Sequence, residues 1–303
     1  MAAVSRPPPF DSGLKRWNPD DNGVYVLNRG DLAKERARLE YNHHRIWLPL
    51  CGGHLCPPHV LAHLRGLPAP RVAEVATGTG VWLLDMAAQL PAAAELRGID
   101  MDSTKFPPAS QAVPLNVSFL KHNALEPFPE EMRGTFDMVH VRLISLGMRA
   151  GDWELVARNV FALLKPGGWL HWEEVADGGW RVVPPSRAFD EWMRVTALWS
   201  MKTGRNLFMP SRLPLLLKDT GFVDVDDKVF NTFGMRDMLE EPMRKISTEV
   251  VRPLMLFVLE DGGLDTIQTL EDVDRLDAEM KRDAAANDAK FGFNYTWTWG
   301  RRP

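Results

Sequence analysis

The seven residues Glu74-Val-Ala-Thr-Gly-Thr-Gly80 constrain this chain more than any other stretch. They follow an apolar run from Arg71 to Ala76 and open a helical pattern from Val81 to Leu90. Strand, glycine turn and helix form the setting in which a backbone approaches a ligand closely. Asp100 ends the next apolar segment, Leu96 to Asp100, about 20 residues beyond the glycines, where open α/β sheets hold a ribose. Together these residues predict a nucleoside cofactor lying across the carboxyl ends of parallel strands. The alternative is that Gly78 and Gly80 do no more than shape a tight turn.

A dinucleotide site needs a third glycine where the helix meets the pyrophosphate; here Val81, Trp82 and Leu83 follow Gly80. A P-loop is excluded because no Gly-Lys-Ser/Thr follows the turn. An acidic strand end suits a cationic ligand without phosphate, and S-adenosyl-L-methionine carries an ammonium, a sulfonium and no phosphate.

On these residues the chain resembles the class I S-adenosylmethionine-dependent methyltransferases. Glu74 to Gly80 is similar to their acidic-x-G-x-G-x-G motif, with Ala76 in place of the first glycine. Phe136-Asp-Met-Val-His-Val-Arg142 resembles their fourth strand, and Leu164-Lys-Pro-Gly-Gly-Trp-Leu170 the turn and strand after it. The likeness is greatest to the fungal UMTA/LaeA-like branch tied to secondary metabolism. There a Tyr-x-Leu segment and a Glu/Arg/Leu-rich helix ending near Gln-His precede the first motif. Tyr25-Val-Leu27 and Glu35 to His44 correspond, with Asn42-His43 replacing Gln-His. The resemblance implies a Rossmann-like fold: a central, mostly parallel sheet with helices on both faces, an N-terminal helical cap and a helical insertion after the fifth strand. It implies that Glu74 holds the methionine ammonium through water or backbone. Thr77, Gly78 and Gly80 approach the cofactor, Asp100 takes both ribose hydroxyls and Met101 packs on adenine. Asn123 and Ala124 meet the adenine edge, and His140 and Arg142 close the sulfonium end. The product would be S-adenosyl-L-homocysteine.

At 303 residues the chain suits one such domain with additions rather than two large domains. The expected division is a flexible segment over 1–24, a helical cap over 25–70 and the methyltransferase domain over 71–303, with a helical lid at about 185–220. A net charge of -4 without a long basic block argues against nucleic acid as substrate. The chain has no apolar run of membrane-spanning length, about 18 residues, and Met1 to Pro9 lacks the apolar region of a signal peptide. Two cysteines then predict reduced thiols and a cytoplasmic setting. Oligomeric state, a homodimer included, is left open.

The pattern predicts strands at about 71–76, 95–100, 117–122, 136–141 and 168–174. A cap helix is expected over Leu32 to Trp47, another over His59 to Arg65, and one over Asp152 to Leu164 that stops at Lys165-Pro-Gly-Gly. Beyond Pro185 the spacing predicts an aromatic-rich helix to Lys202, a helix from Ser211 to Thr220, and a strand from Phe222 to Phe230. Helices over Glu240 to Leu259 and Leu270 to Ala285, and a last strand over Phe293 to Trp299, complete it.

Cys51-x2-His54-x-Cys56-x2-His59 has zinc-ligand types, but all four lie within nine positions rather than in two separated pairs. Buried thiols in a helix-to-loop connection are expected there, and no metal. His43 and His44 end the cap helix and are candidate general bases, against a packing role. His140, at a strand's carboxyl end, is a third candidate, and Glu173 or Glu174 on the fifth strand a fourth. Arg142 is a candidate anchor for an acidic substrate group. Trp172, Trp192 and Trp199, with Tyr41, are candidate walls for a flat hydrophobic acceptor. The expected activity is methyl transfer to a small aromatic or polyketide-like molecule, most readily at oxygen. The rivals are a non-methylating cyclisation or pericyclic reaction that uses the same cofactor, and a LaeA-like regulator.

Overall fold

The computed structural model describes residues 31–286 and 289–303. The segment 1–24 and Tyr25-Val-Leu27 lie outside the described residues.

Asp31 opens the first helix, its carboxylate accepting from the N–H groups of Ala33 and Lys34, two of the donors a helix start leaves unpaired. This helix, α1 (Leu32–Asn42), runs into a π-turn (His43–Trp47) and the short α2 (Leu48–Leu50). Next come α3 (Pro58–Arg65), β1 (Arg71–Val75), α4 (Val81–Ala87), β2 (Glu95–Asp100), β3 (Val117–Lys121), β4 (Phe136–Arg142) and α5 (Asp152–Leu163). The chain continues through β5 (Leu164–Val183), α6 (Arg187–Lys202), α7 (Leu213–Thr220), β6 (Val223–Asn231), α8 (Arg236–Glu260), α9 (Leu270–Ala285) and β7 (Lys290–Arg301).

The seven strands form one sheet in the order β3-β2-β1-β4-β5-β7-β6, with β7 antiparallel to both neighbours. The chain order reverses between β1 and β4, and in open sheets such a switch point leaves a crevice at the carboxyl ends. Alternation along the inner strands gives the two faces different partners. Ala73, Val75, Val139, Val141 and Leu170 pack under α5 and α7, while Val72, Leu96 and Met138 pack under α3 and α4. Among the described residues, no helix is long and apolar enough to cross a membrane.

The strand and helix expectations match in order and kind, with differences at three places. Lys165-Pro-Gly-Gly does not separate the fifth strand from what precedes it: pairing jumps from Phe136↔Leu164 to Met138↔Trp169, and these residues bulge out of a strand that continues to Val183. That length follows from β7, which pairs along Trp169–Val175 and again along Trp180–Val183. The helix expected from Glu240 to Leu259 is longer and holds Pro242 and Pro253 in its interior. Tertiary packing on α6 and α9 outweighs the lost backbone hydrogen bonds. The two helices of the expected 185–220 lid part company: α6 packs with α8 and α9, whereas α7 packs on the sheet.

The turn after β1 shows why its residues matter. Gly80 has φ 76°, and a Cβ there would lie 2.7 Å from the Phe119 ring. Ala76, where the resembling family has glycine, has φ 60°, a left-handed conformation that costs an L-residue about 1–2 kcal/mol. Glycine relieves that strain but adds unfolded-chain entropy. Ala76→Gly should therefore raise unfolding free energy by about 0.5–1 kcal/mol in urea titrations; a loss of stability would show that Ala76 is not strained.

Candidate active site

A cavity of about 330 Å³ opens at the carboxyl ends of β1, β2 and β4, roofed by α1, α6 and α8. Seven of the residues expected around the cofactor lie on its wall: Glu74, Thr77, Gly78, Asp100, Met101, Asn123 and Ala124. Asp100 is anchored, one oxygen accepting from Gly78 N at 2.8 Å and the other from Asp102 N at 2.9 Å. A carboxylate has further lone pairs, so it can still accept from a ligand. The Glu74 carboxylate accepts from the Thr77 hydroxyl. The Leu39 side chain of α1 lies 3.4 Å from where a Cβ on Gly78 would be, so the cap sits directly over the turn.

Gly80 and His140 are not on this wall. Gly80 faces Phe119, and the fully buried His140 lies under Trp82, ring centroids 3.7 Å apart and 14° from parallel. Its Nε2 is 3.0 Å from Glu173 Oε1 and its Nδ1 is 3.4 Å from Glu74 Oε1. Glu173 also accepts from the Tyr295 hydroxyl. Burial drives the His140 pKa down to about 4, so the ring is neutral. His140 and Glu173, two of the expected proton acceptors, are thus beneath the sheet surface and held by each other.

His43 is buried, with Nε2 3.0 Å from Asp85 Oδ2 and Nδ1 3.0 Å from Arg142 Nη1. Arg142 can only donate, so Nδ1 accepts and the proton sits on Nε2, facing Asp85. Burial holds the His43 pKa at about 4. Both ring nitrogens are occupied, and His43 orients the Arg142 guanidinium, which reaches the main cavity and a second, water-sized one beside Glu173. His44 is half exposed and bonds Glu40 O and Asp85 rather than the cavity.

The expected aromatic wall is different in detail. Trp192 lines the cavity, but Trp172 stacks on Trp153 beneath α5 and donates to Glu174. Trp199 is buried among α6, α8 and α9 with Arg205 over its ring. Tyr41 points away, donating to Glu241 at 2.8 Å under the Lys245 ammonium. Strand alternation turns Trp172 and helical phase turns Tyr41 away from the cavity, whereas Trp199 shares the α6 face of Trp192 and Thr196 but lies beyond the end of the wall. The wall instead includes Trp47, Trp180, Met193, Thr196, Ile246, Val250 and Leu254. Three of these come from α8, whose helical pattern is plain in the sequence but whose place over the site is a tertiary fact. Leu143 to Met148, after β4, also line it, and Leu143 has φ 55°. Glu174, a fully buried carboxyl beside Ser145, accepts on Oε1 from Ile144 N at 2.9 Å and from the Trp172 indole at 3.2 Å, while its Oε2 has no partner. Burial raises its pKa to about 7.

Metal-type ligands come within 4.8 Å of one another in two groups among the described residues, His43/His44/Asp85 and His140/His171/Glu173. Neither includes Cys51, His54, Cys56 or His59. Both thiols are buried, and burial pushes the Cys56 pKa up to about 12.

Residues 72–168 match the family described as a methyltransferase domain. The chain is 30% identical over 231 residues to methyltransferase grgD of a Penicillium species, covering 74% of this chain and 78% of that one. It is 31% identical to N-methyltransferase tcpN of Claviceps purpurea, covering 66% and 70%. The chain belongs to the class I S-adenosylmethionine-dependent methyltransferases. Within them it falls in the fungal LaeA-like branch. Haemonchus contortus phosphoethanolamine N-methyltransferase 2, solved with S-adenosyl-L-methionine, has the same fold: TM-score 0.52, 16% identity, 97% of this chain and 62% of that one.

The methyltransferase's wall suits its cofactor. Four buried polar atoms on it have no partner: Asn42 Oδ1, Thr79 Oγ1, Trp192 Nε1 and Thr196 Oγ1. Buried polar groups are rarely left unpaired without a reason. Asn42 and Thr79 sit where α1 meets the turn, near the Asp100 carboxylate, and offer the partners a nucleoside with an amino-acid tail requires.

The buried titratable groups make a stability prediction. His43, His140 and His171 are lowered from 6.5 to about 4, 4 and 3, and Glu174 is raised from 4.5 to about 7. Between pH 4.5 and 6.5 the unfolded chain binds three imidazole protons that the folded chain refuses. Over the same window the folded chain keeps one Glu174 proton that the unfolded chain has released. The net excess in the unfolded state makes stability rise with pH, by about 2 kcal/mol per unit. Urea midpoints measured from pH 4.5 to 6.5 should climb steadily; a flat profile would mean the histidines titrate normally.

Proposed function

We propose that this methyltransferase transfers the methyl group to an oxygen of a small, largely apolar molecule. The observation that carries the reading is the continuity of one cavity: its turn-side wall is polar, and its far lobe is aromatic and aliphatic. In this reading Asp100 takes the ribose hydroxyls, Met101 the adenine face, and Asn123 and Ala124 the adenine edge. Thr77 and Gly78 give backbone contact, while Glu74 with Asn42 receives the ammonium. Residues 31–70 act as a cap over the cofactor, and α6 with α8 is the lid over the acceptor.

Bound S-adenosyl-L-methionine supplies a methyl group already activated on a sulfonium. The protein's part is to align the acceptor, exclude water and remove its proton. Ser145 is placed to help remove that proton, because it lines the cavity wall next to the buried Glu174 carboxyl, whose Oε2 has no partner. An acceptor O–H can pass its proton to Ser145 Oγ as Ser145 passes its own to the Glu174 carboxylate. A proton sink with a pKa near 7 suits this role.

N-methylation is the second reading, favoured by the name of the Claviceps purpurea relative. Incubation with methyl-labelled cofactor and a panel of aromatic hydroxyl and amide compounds tests both. A labelled product one methyl heavier, with S-adenosyl-L-homocysteine released, supports methyl transfer, and its bond positions decide between O and N. A converted product of unchanged mass would overturn it.

Asp100→Ala should weaken S-adenosyl-L-homocysteine binding by about 2–4 kcal/mol in isothermal titration, and unchanged affinity would sink the ribose assignment. Glu174→Gln should lower kcat by about 10²-fold with cofactor affinity retained. In the parent enzyme kcat should rise with pH through about 7 as Glu174 ionises, and that dependence should vanish in the variant. A variant with the parent's pH profile would remove Glu174 from the proton path.

A further inference from the structure

The orphaned atoms on the cavity wall fall into two pairs, and the pair on α6 lies in the acceptor lobe. Trp192 and Thr196 are one helical turn apart, so their side chains share a face. Both residues are buried, at 2% and 7% exposure, and neither Trp192 Nε1 nor Thr196 Oγ1 has a partner. A helical threonine can satisfy its hydroxyl on the carbonyl four residues back; Thr196 does not. The Trp192 indole is held edge-on between Trp180 and Phe189, at 5.9 and 5.7 Å. Its N–H is therefore a preorganised donor.

We infer that Trp192 Nε1 and Thr196 Oγ1 recognise a hydrogen-bond-accepting oxygen, a carbonyl, on an uncharged acceptor. This rests on the reading of the lobe as the acceptor site. An indole N–H only donates, so the pair selects an acceptor atom and not an ammonium. The surrounding wall of Val175, Trp180, Met193, Ile246, Val250 and Leu254 carries no charge, and an anion placed there would lose its hydration without a counter-charge. The carbonyl is a handle held at the lid, while the atom to be methylated lies toward the sheet. A site built around a buried donor rejects an analogue that lacks the partner oxygen more strongly than one that differs only in apolar bulk.

Fluorenone and fluorene have nearly the same shape and differ by that oxygen. Equilibrium dialysis of each against the full chain saturated with S-adenosyl-L-homocysteine should show fluorenone binding about tenfold tighter. Thr196→Val and Trp192→Phe should each bring the ratio toward one without altering fluorene or S-adenosyl-L-homocysteine binding, and Thr196→Ser should keep it. A parent ratio near one, binding of neither probe, or variants that keep the full ratio would overturn the inference while the cofactor site stands. Failure of S-adenosyl-L-homocysteine itself to bind would instead overturn the cofactor-site reading, and this proposal with it.

Discussion

A row of buried polar side chains ties three strands together: His140 on β4, stacked under Trp82, Glu173 on β5 and Tyr295 on β7. Two links run diagonally, since His140 is paired in register with His171 and Tyr295 with Val175. Diagonal contacts reach across neighbouring strands and resist a slip in register. Each member is also costly to leave alone in a water-free interior. The carboxyl ends of the central strands are thereby fixed against one another, and those ends are the floor of the cavity.

Two features of the site follow from that fixed floor. Ala76 and Leu143 leave β1 and β4 with positive φ, and such strain persists only where the surroundings determine the backbone. Arg142, the last residue of β4, is reached from the cap by His43, whose other ring nitrogen is held by Asp85 of α4. The cap is thus connected to the sheet through a neutral imidazole with both nitrogens in use. A charged His43 would face the Arg142 guanidinium with no lone pair to offer it. The same burial that makes these histidines poor bases makes them good rulers. The proton acceptor we propose, Glu174, lies instead on the other face of β5, buried beside Ser145 of the cavity wall.

Fold and cofactor wall were legible because they depend on local pattern. Glu74 to Gly80 reads as strand, turn and helix wherever it occurs, and Asp100 is placed by the length of one β-α-β unit. Seven predicted residues therefore share a wall. His140 was misleading for the same reason that it was visible: a histidine at a strand's carboxyl end has two faces to choose from, and the bulky Trp82 at the start of α4 covers the one it takes. Trp172 and Trp199 show the same limit, since composition marks them as aromatic but only the neighbouring helices decide which way they face. The helix stop expected at Lys165-Pro-Gly-Gly is there, with α5 ending at Leu163, but the extent of β5 was not legible because its pairing depends on β4 and on β7, the latter more than a hundred residues away.

The lid illustrates why substrate was harder to read than cofactor. Its wall is assembled from the end of the cap, from α6 between β5 and β6, and from α8 between β6 and β7, none adjacent in sequence. No short motif can encode a surface of that kind. What identifies it is an unmet hydrogen-bonding demand: in a lobe otherwise apolar, the Trp192 N–H and Thr196 hydroxyl are buried without a partner. Keeping an indole donor in a dry pocket destabilises the empty protein unless a ligand satisfies it. In the reading proposed here chemistry and selectivity are physically separate: the sheet end holds the cofactor, and one face of α6 carries the hydrogen-bonding demand that an acceptor would meet.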